Sequence, residues 1–296
     1  MSRLRADMWL VLITVIWGTT FVIVHESLDV VGPFVFVAAR FWVAGVALLV
    51  LSRFRRRART PNLIRDGVLT GLFLTAGFVT QTLGLQTTEA GKAAFITGLN
   101  IVLVPLFAAV LLRQLPAPHA LGGVVLATAG LALMSLDRSL TLARGDVWVM
   151  ACAVAFALHI ITVARYAPRH DVFPYTLIQL FTAAAVASIA ALIFEREALV
   201  LPTSAVPAIL YMGIIATAFV FGLQTWVQRY TTPTHTALIF ALEPVTAAFF
   251  AILFAGEVLE AREWFGGAMI LSGMLVAELG DFLFKRQERA VAREGV

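Results

Sequence analysis

Ten apolar stretches, each about 17 to 22 residues long, follow one another along the chain and are separated by short polar segments. They cover residues 8–25, 33–51, 67–86, 93–112, 119–135, 146–164, 174–194, 205–226, 236–254 and 263–282. At about 1.5 Å of rise per residue, helices of this length cross a bilayer core about 30 Å thick. A helix also pairs its own backbone groups, which an isolated strand in hydrocarbon does not. The pattern predicts an all-α polytopic membrane protein with about ten transmembrane helices.

The second five stretches repeat the register of the first five. A shift of 144 residues places Thr87-Thr88 on Thr231-Thr232 and Gly122-Gly123 on Gly266-Gly267. A shift of 139 residues relates the first and second stretches to the sixth and seventh. Because each copy holds an odd number of crossings, the two copies must lie upside down relative to each other. Such inverted repeats are typical of secondary transporters.

The basic residues assign the two sides of the membrane. With the N-terminus in the cytoplasm, sixteen of the 22 Lys and Arg residues fall in inside segments and five in outside loops, while Arg40 lies within a stretch. Positive residues accumulate on the cytoplasmic side. We therefore expect a multi-pass membrane protein with both termini in the cytoplasm. The predicted domains are a first five-helix repeat (1–140), a second, inverted repeat (141–284) and a cytoplasmic tail (285–296).

Composition excludes several classes of function. Charged residues make up 14% of the chain, against about 25% in soluble domains, so little extramembrane mass is expected. The formal charge of +4 follows membrane sides rather than one binding face, which argues against a nucleic-acid partner. The chain shows no phosphate-binding glycine loop and no metal-ligand spacing among its five histidines. We expect no cofactor, no metal and no enzymatic activity.

Polar side chains inside the apolar stretches mark candidate binding positions, because they are costly in lipid and usually face a cavity or a partner. Arg40 has two further interpretations: it reaches the outer surface, or it pairs with Glu26 or Asp29. An amide in such a stretch can also join neighbouring helices as packing. The candidate substrate-binding residues are Gln81, Asn100, His159, Gln224 and Glu243.

Glu243 precedes Pro244, which removes a backbone donor and predicts a kink in the ninth stretch. Kinks in mid-membrane are common at transporter sites. A carboxyl group there is a candidate for proton coupling, and His159 is a second candidate because imidazole titrates near neutral pH. A structural role, in which Glu243 caps a neighbouring helix and His159 is packed, is the alternative for both.

Aromatic residues are abundant, and most of the 22 Phe side chains are expected to face lipid or fill gaps between helices. Trp17 differs, because it lies in mid-helix beside Gly18, Thr19 and Thr20. Together with Phe78 it is a candidate aromatic wall of a binding cavity. Such a wall would suit a partly apolar solute, such as an aromatic amino acid.

Several short motifs in this order resemble the EamA-type members of the drug/metabolite transporter superfamily. They are Trp17-Gly18-Thr19-Thr20-Phe21, Ala39-Arg40-Phe41, Leu242-Glu243-Pro244-Val245, Gly256-Glu257 and Gly266-Gly267. The resemblance extends over about residues 8–280. The first half departs from the family pattern, with Asn100 in place of a usual proline and Arg113-Gln114 in place of Gly-Glu.

The resemblance implies two inverted five-helix halves, a central cavity and outward transport of amino acids or related metabolites across the bacterial inner membrane. The leading hypothesis is a secondary transporter that exports small metabolites by alternating access. Its partners would be a small-molecule solute and membrane lipids, and it would act as a monomer or homodimer. The alternatives are a transporter of a drug, sugar or nucleotide-related metabolite, a passive channel, and an intramembrane enzyme.

Overall fold

The structure is a computed structural model that describes residues 3–52, 60–88, 90–135, 143–250, 253 and 260–294. All regular elements within these ranges are helical. The α-helices are α1 (Arg3–Gly18), α2 (Thr20–Ser27), α3 (Pro33–Ser52), α4 (Leu63–Leu85), α5 (Ala90–Gly98), α6 (Asn100–Phe107), α7 (Pro118–Ser135), α8 (Arg144–Tyr166), α9 (Val172–Phe194), α10 (Val206–Gly213), α11 (Val220–Val227), α12 (Pro233–Phe240), α13 (Glu243–Phe250) and α14 (Ala261–Glu294). Two π-helical segments, Ala108–Leu112 and Ile214–Phe219, extend α6 and join α10 to α11.

The described residues contain six helices that are long and apolar enough to cross a membrane. These helices are Leu4–Ser27, Pro33–Ser52, Leu63–Leu85, Arg144–Arg169, Val172–Phe194 and Thr203–Tyr230. Three shorter apolar helices are Ile96–Leu112, Pro118–Leu133 and Trp264–Ala277. The predicted crossing 236–254 corresponds to two helices of eight residues each, α12 and α13. The polytopic all-helical character is confirmed, while the count of ten crossings stays a prediction.

Large apolar side chains cover the outer faces of the helices. Examples are Val110, which is 68% exposed, Val125 at 70% and Phe194 at 71%. A soluble protein rarely leaves apolar surface of this kind on its helices. The polar side chains Arg40, Asn100 and Thr217 are in turn buried between the helices. This inverted distribution fits a protein whose solvent is the lipid bilayer.

Three helical runs are interrupted in mid-run, at Thr19, at Leu99 and at Ala241-Leu242. At the first break the hydroxyls of Thr19 and Thr20 donate to backbone carbonyls three residues earlier, which competes with regular helical pairing. At the third break Pro244 supplies no N–H to the helix. The kink predicted at the Glu243-Pro244 step is therefore present, and the two other breaks add to it.

The helices pack in layers around one central space. α4 lies against α8 and α9, α3 lies against α9, and α7 pairs with α14. α1 contacts both halves of the interrupted run formed by α12 and α13. The last helix extends to Glu294, so residues 285–294 of the predicted tail continue α14 instead of leaving it. The Gly256-Glu257 motif and the basic residues 53–59 lie outside the described residues.

Candidate functional site

One cavity lies where the interrupted helices meet. It is bounded by α1, α2, α3, α4, α5, α6, α8, α11, α12 and α13. Its lining combines one cation, one acid, amides and aromatic rings. The lining residues are Trp17, Thr20, Phe21, Arg40, Phe78, Gln81, Thr97, Asn100, Phe156, His159, Ile160, Phe221, Gln224, Phe240 and Glu243. The structure thus brings together all seven residues that the sequence singled out as substrate-binding candidates, and their role in binding is a proposal.

A continuous aromatic wall forms one side of the cavity. The ring of Trp17 packs against Phe240 at 5.0 Å and against Phe221 at 5.6 Å between centroids. Phe78 meets Phe221 at 5.8 Å and Phe156 at 5.1 Å. Tilted and edge-to-face contacts at these separations are favourable aromatic arrangements. The wall therefore offers a preformed apolar surface to the inside of the cavity.

Arg40 enters the cavity from α3 and is only 3% exposed. Its Nε–H donates to Thr217 Oγ1 at 2.6 Å, and Nη2 donates to the Ala216 carbonyl at 3.4 Å. The guanidinium carbon lies 4.4 Å from the centroid of the Phe78 ring, a cation–π geometry. The interpretations that Arg40 reaches the outer surface or pairs with Glu26 or Asp29 are wrong, because its contacts point inward.

The π-helical segment explains how the protein holds Arg40. A π-turn widens the helix and leaves carbonyls available, and such bulges occur often at functional sites. Here the Ala216 carbonyl accepts from Arg40 and also from the indole Nε1–H of Trp17 at 3.2 Å. Thr217 Oγ1 donates to the Met212 carbonyl five residues earlier at 2.7 Å while accepting from Arg40. Backbone and hydroxyl dipoles thus fix the cation in place.

Asn100 and Glu243 are the first residues of α6 and α13, and Glu243 lies one position before Pro244, the residue that the shift of 144 pairs with Asn100. Asn100 is 7% exposed, and its Oδ1 has no hydrogen-bond partner among the described residues. Within the same part of the chain, no side-chain hydrogen bond or ion pair reaches the Glu243 carboxylate, although the Glu243 carbonyl accepts from Thr246 Oγ1 at 2.9 Å. Buried polar atoms without partners are rare in native proteins, so Asn100 Oδ1 is available to a ligand. The half-buried Glu243 carboxylate is a second acceptor in the same cavity.

His159 and Gln224 belong to polar pairs that lead away from the cavity. His159 Nε2 lies 3.1 Å from Gln179 Oε1, and Gln179 Nε2 donates to the Tyr175 carbonyl at 3.3 Å. Gln224 Nε2 donates to Gln228 Oε1 at 3.3 Å. Gln81 lines the cavity without a side-chain hydrogen bond in the described chain. The described residues contain no group of three or more His, Cys, Asp or Glu side chains that could hold a metal.

Four of the eight lining residues outside the predicted set share one relation to the predicted ones. Each lies three positions before a predicted residue, and is therefore its neighbour on the same helix face. The four pairs are Thr97 with Asn100, Phe156 with His159, Phe221 with Gln224, and Phe240 with Glu243. Phe78 and Gln81, which were both predicted, have the same spacing. The position three residues before a predicted polar residue was therefore the available signal for these further lining residues.

The chain is similar to known membrane transporters over nearly its whole length. It is 29% identical to an uncharacterized transporter of Archaeoglobus fulgidus, across 94% of this chain and 87% of that protein. It is 26% identical to a probable terminal-alkyne amino-acid exporter of Streptantibioticus cattleyicolor, across 93% and 94%. A crystal structure with 19% identity superposes with a TM-score of 0.78, covering 93% of this chain and 96% of that one, which shows a shared fold.

The family comparison assigns the chain directly. The model of the EamA-like transporter family matches it twice, over residues 4–136 and again over residues 143–278. These two matches together leave only short segments uncovered. The resemblance drawn from the sequence motifs is thereby confirmed. The chain belongs to the EamA-like transporter family, and it is a transporter rather than an enzyme.

Proposed function

We propose that this protein is a secondary transporter that exports small metabolites by alternating access, with amino acids, aromatic ones among them, as the leading solutes. The observation that carries this proposal is the central cavity, in which unpartnered polar groups face an aromatic wall. Ligand sites combine such an apolar lining with a few placed polar groups. The solute would bind between the helix breaks and be exposed to each side of the membrane in turn.

The inverted five-helix arrangement is part of the proposal. The two family matches support a boundary between residues 136 and 143, close to the predicted one at 140. Contacts between helices also come in related pairs. α3 packs on its predicted counterpart α9, and α7 packs on its counterpart α14. In the predicted repeat α4 corresponds to α11, and α8 corresponds to α1. The contact of α4 with α8 is therefore matched by the contact of α11 with α1.

Two observations support amino acids as the solute class. One relative carries the name of a probable terminal-alkyne amino-acid exporter. The cavity of this chain also offers both charged and amide groups beside its aromatic rings, which suits a solute with a polar head and an apolar side chain. We further propose an inner-membrane location with both termini in the cytoplasm, following the distribution of basic residues.

The test is counterflow in proteoliposomes. Purified protein is reconstituted and loaded with unlabelled solute, and the entry of radiolabelled amino acids, sugars, purines and drugs is measured. We expect transient, saturable accumulation of at least one amino acid, and competition by excess unlabelled amino acid. Flux that rises linearly with concentration would identify a passive channel, and accumulation of a sugar or purine alone would replace the amino-acid assignment.

Proton coupling through Glu243 or His159 is tested in the same vesicles. An imposed pH gradient is expected to drive accumulation in the native protein. In Glu243→Gln, accumulation is expected to be the same with and without the gradient, because the amide carries no proton. A Glu243→Gln variant with an unchanged gradient response removes this residue from the mechanism, and the same comparison is then made with His159→Gln.

A further inference from the structure

The cavity contains one cation and one acid that attract each other but do not form a direct ion pair. Arg40 and Glu243 both line it, and no nitrogen–oxygen distance of 4.0 Å or less joins them in the described chain. Two opposite charges held apart in a membrane interior are costly unless each finds a partner. We propose that the partner is a single zwitterion, whose carboxylate is bound by Arg40 and whose ammonium group is bound by Glu243.

Arg40 is built to receive an anion. Its protein partners are neutral, namely the Thr217 hydroxyl and the Ala216 carbonyl. An arginine carries five N–H donors, so these two contacts position the guanidinium without using most of its donors. Its charge is not cancelled by a carboxylate within ion-pair distance in the described part of the protein. A planar fork held in this way matches the geometry of a carboxylate.

Glu243 and Asn100 form the opposite, acceptor-rich end. The Glu243 carboxylate accepts no hydrogen bond from the described residues, and Asn100 Oδ1 is buried without a donor. An ammonium group supplies three N–H donors and no acceptor. It would therefore satisfy the carboxylate and the amide oxygen together, which no hydroxyl or carboxylate of a solute does equally well.

The aromatic wall fixes the remaining part of the solute. Trp17, Phe78 and Phe221 lie beside these charges on the same cavity. An apolar or aromatic side chain carried on the carbon between the two charged groups would rest on these rings. A simple carboxylic acid would leave Glu243 unpaired, and a simple amine would leave Arg40 unpaired. The chemical class selected is an α-amino acid with both groups free.

The inference rests on the proposed transport function and is tested with matched solutes. The probes are phenylalanine, phenylalaninamide, which lacks the carboxylate, and N-acetylphenylalanine, which lacks the ammonium group, together with the same triplets of leucine and tryptophan. Each is measured as a competitor of labelled amino-acid counterflow and of amino-acid binding to the purified protein. In the native protein both derivatives are expected to compete at least about tenfold more weakly than the free amino acid, because each leaves a buried charge unpaired.

Single substitutions then separate the two ends. In Arg40→Gln the amide derivative of the solute, such as phenylalaninamide, is expected to compete as well as the free amino acid, while the N-acetyl derivative stays weak. In Glu243→Gln the N-acetyl derivative is expected to compete as well as the free amino acid, while the amide stays weak. Arg40→Lys keeps a cation and should keep the preference for a free carboxylate. Ser272→Ala, on the exposed face of α14, serves as the unaltered control. A purely structural role lowers competition by all three solutes together and gives no exchange of preference.

The outcomes distinguish this inference from the proposed function. If the native protein transports an amino acid but accepts the amide and N-acetyl derivatives equally, the two-anchor assignment is overturned and the transporter assignment stands. The same holds if only a sugar or purine is transported. Absence of saturable counterflow for every solute overturns the proposed function itself. If Arg40→Gln or Glu243→Gln fails to fold, the discrimination of the native protein and of Arg40→Lys still decides the question.

Discussion

Thr217 connects the cavity to the irregular backbone behind it. Its hydroxyl accepts from Arg40 at 2.6 Å and donates to the Met212 carbonyl at 2.7 Å, and the side chain is fully buried. Both bonds depend on the π-helical turn that carries it, since a regular helix would bring a different carbonyl into reach. Thr217 is therefore a positioning residue, which acts on a solute through Arg40.

We expect Thr217→Val to leave a guanidinium N–H without its acceptor at nearly unchanged side-chain volume. An unsatisfied buried donor costs about 1–3 kcal/mol, so the melting temperature in detergent should fall. The preference for phenylalanine over phenylalaninamide should shrink as well, because the cation is no longer fixed. Thr217→Ser keeps the hydroxyl and should restore both properties. Loss of stability with full retention of the preference would show that Thr217 has no positioning role.

At the scale of single residues, the sequence predicts which polar side chains line the cavity better than it predicts their hydrogen-bond partners. Asn100, His159 and Glu243 are visible because polar groups are rare in apolar stretches, and all three line the cavity. Phe156 was not distinguishable, because most of the 22 phenylalanines have no polar feature that separates cavity from lipid. The partner of Arg40 was predicted incorrectly, since the acceptor depends on a π-turn 176 residues away.

At the scale of elements, glycines bring helices into close contact. A Cβ added at Gly123 of α7 would lie 2.5 Å from the Gly273 carbonyl oxygen of α14, and one added at Gly273 would lie 2.6 Å from that of Gly123. Gly130 meets the Gly266 carbonyl oxygen in the same way at 2.5 Å. Small residues at such crossings let helix backbones approach in a membrane. Backbone atoms cannot shift as a flexible side chain can, so these positions tolerate no methyl group without separation of the helices.

This contact gives a prediction with a neighbouring control. Gly123→Ala should separate α7 from α14 and destabilise the protein by about 1–3 kcal/mol, the usual cost of overpacking. Gly122→Ala should be neutral or stabilising, because no atom lies within 4 Å of its added Cβ and alanine is the better helix former. Thermal unfolding of both variants in one detergent makes the comparison. Equal melting temperatures would mean that this helix pair does not need the glycine.

The paired glycines also show what a sequence pattern can predict about helix packing. In the sequence, Gly122-Gly123 and Gly266-Gly267 look alike as pairs of small residues that allow close helix packing. In the structure Gly123 and the Gly266 carbonyl make the contacts, whereas Gly122 and Gly267 have open space or ordinary contact around them. Adjacent residues point about 100° apart around a helix axis, so only one of each pair faces the partner helix. The choice between the two requires the crossing geometry, which no local pattern contains.

At the scale of the whole molecule, the proposed repeat relates two buried carboxylates. The shift of 139 residues that superposes the first helices places Asp7 on Asp146. Asp7 Oδ1 lies 3.0 Å from His235 Nε2, at the start of α12. Asp146 Oδ1 accepts from Thr88 Oγ1 at 3.0 Å, just before α5. Each carboxylate thus joins the first helix of one half to the start of the fourth predicted helix of the other half.

In the proposed inverted arrangement, with both termini in the cytoplasm, these two contacts would lie on opposite sides of the membrane, Asp7 inside and Asp146 outside. Alternating access requires that helices separate on one side while they stay closed on the other. A contact that closes one side must then break when that side opens. Removing such a contact shifts the equilibrium toward the state that is open on the side of the contact. The size of the shift equals the free energy by which the contact had stabilised the closed state. The two variants should consequently shift the protein in opposite directions.

We expect Asp7→Ala to make the cavity more accessible from the cytoplasm and Asp146→Ala to make it more accessible from outside. A hydrogen bond to a charged group contributes about 1.5–3 kcal/mol, and about 1.4 kcal/mol changes an equilibrium tenfold, so shifts near tenfold are measurable. The measurement is the labelling rate of a cysteine placed at Gln81, in a Cys152→Ala background, by a membrane-impermeant maleimide added to right-side-out or inside-out vesicles. The double variant, which loses both contacts, should return toward the native ratio. If both single variants raise labelling from the same side, Asp7 and Asp146 are not opposite closures, and the inverted pairing of the first helix of each half with the fourth helix of the other must be abandoned.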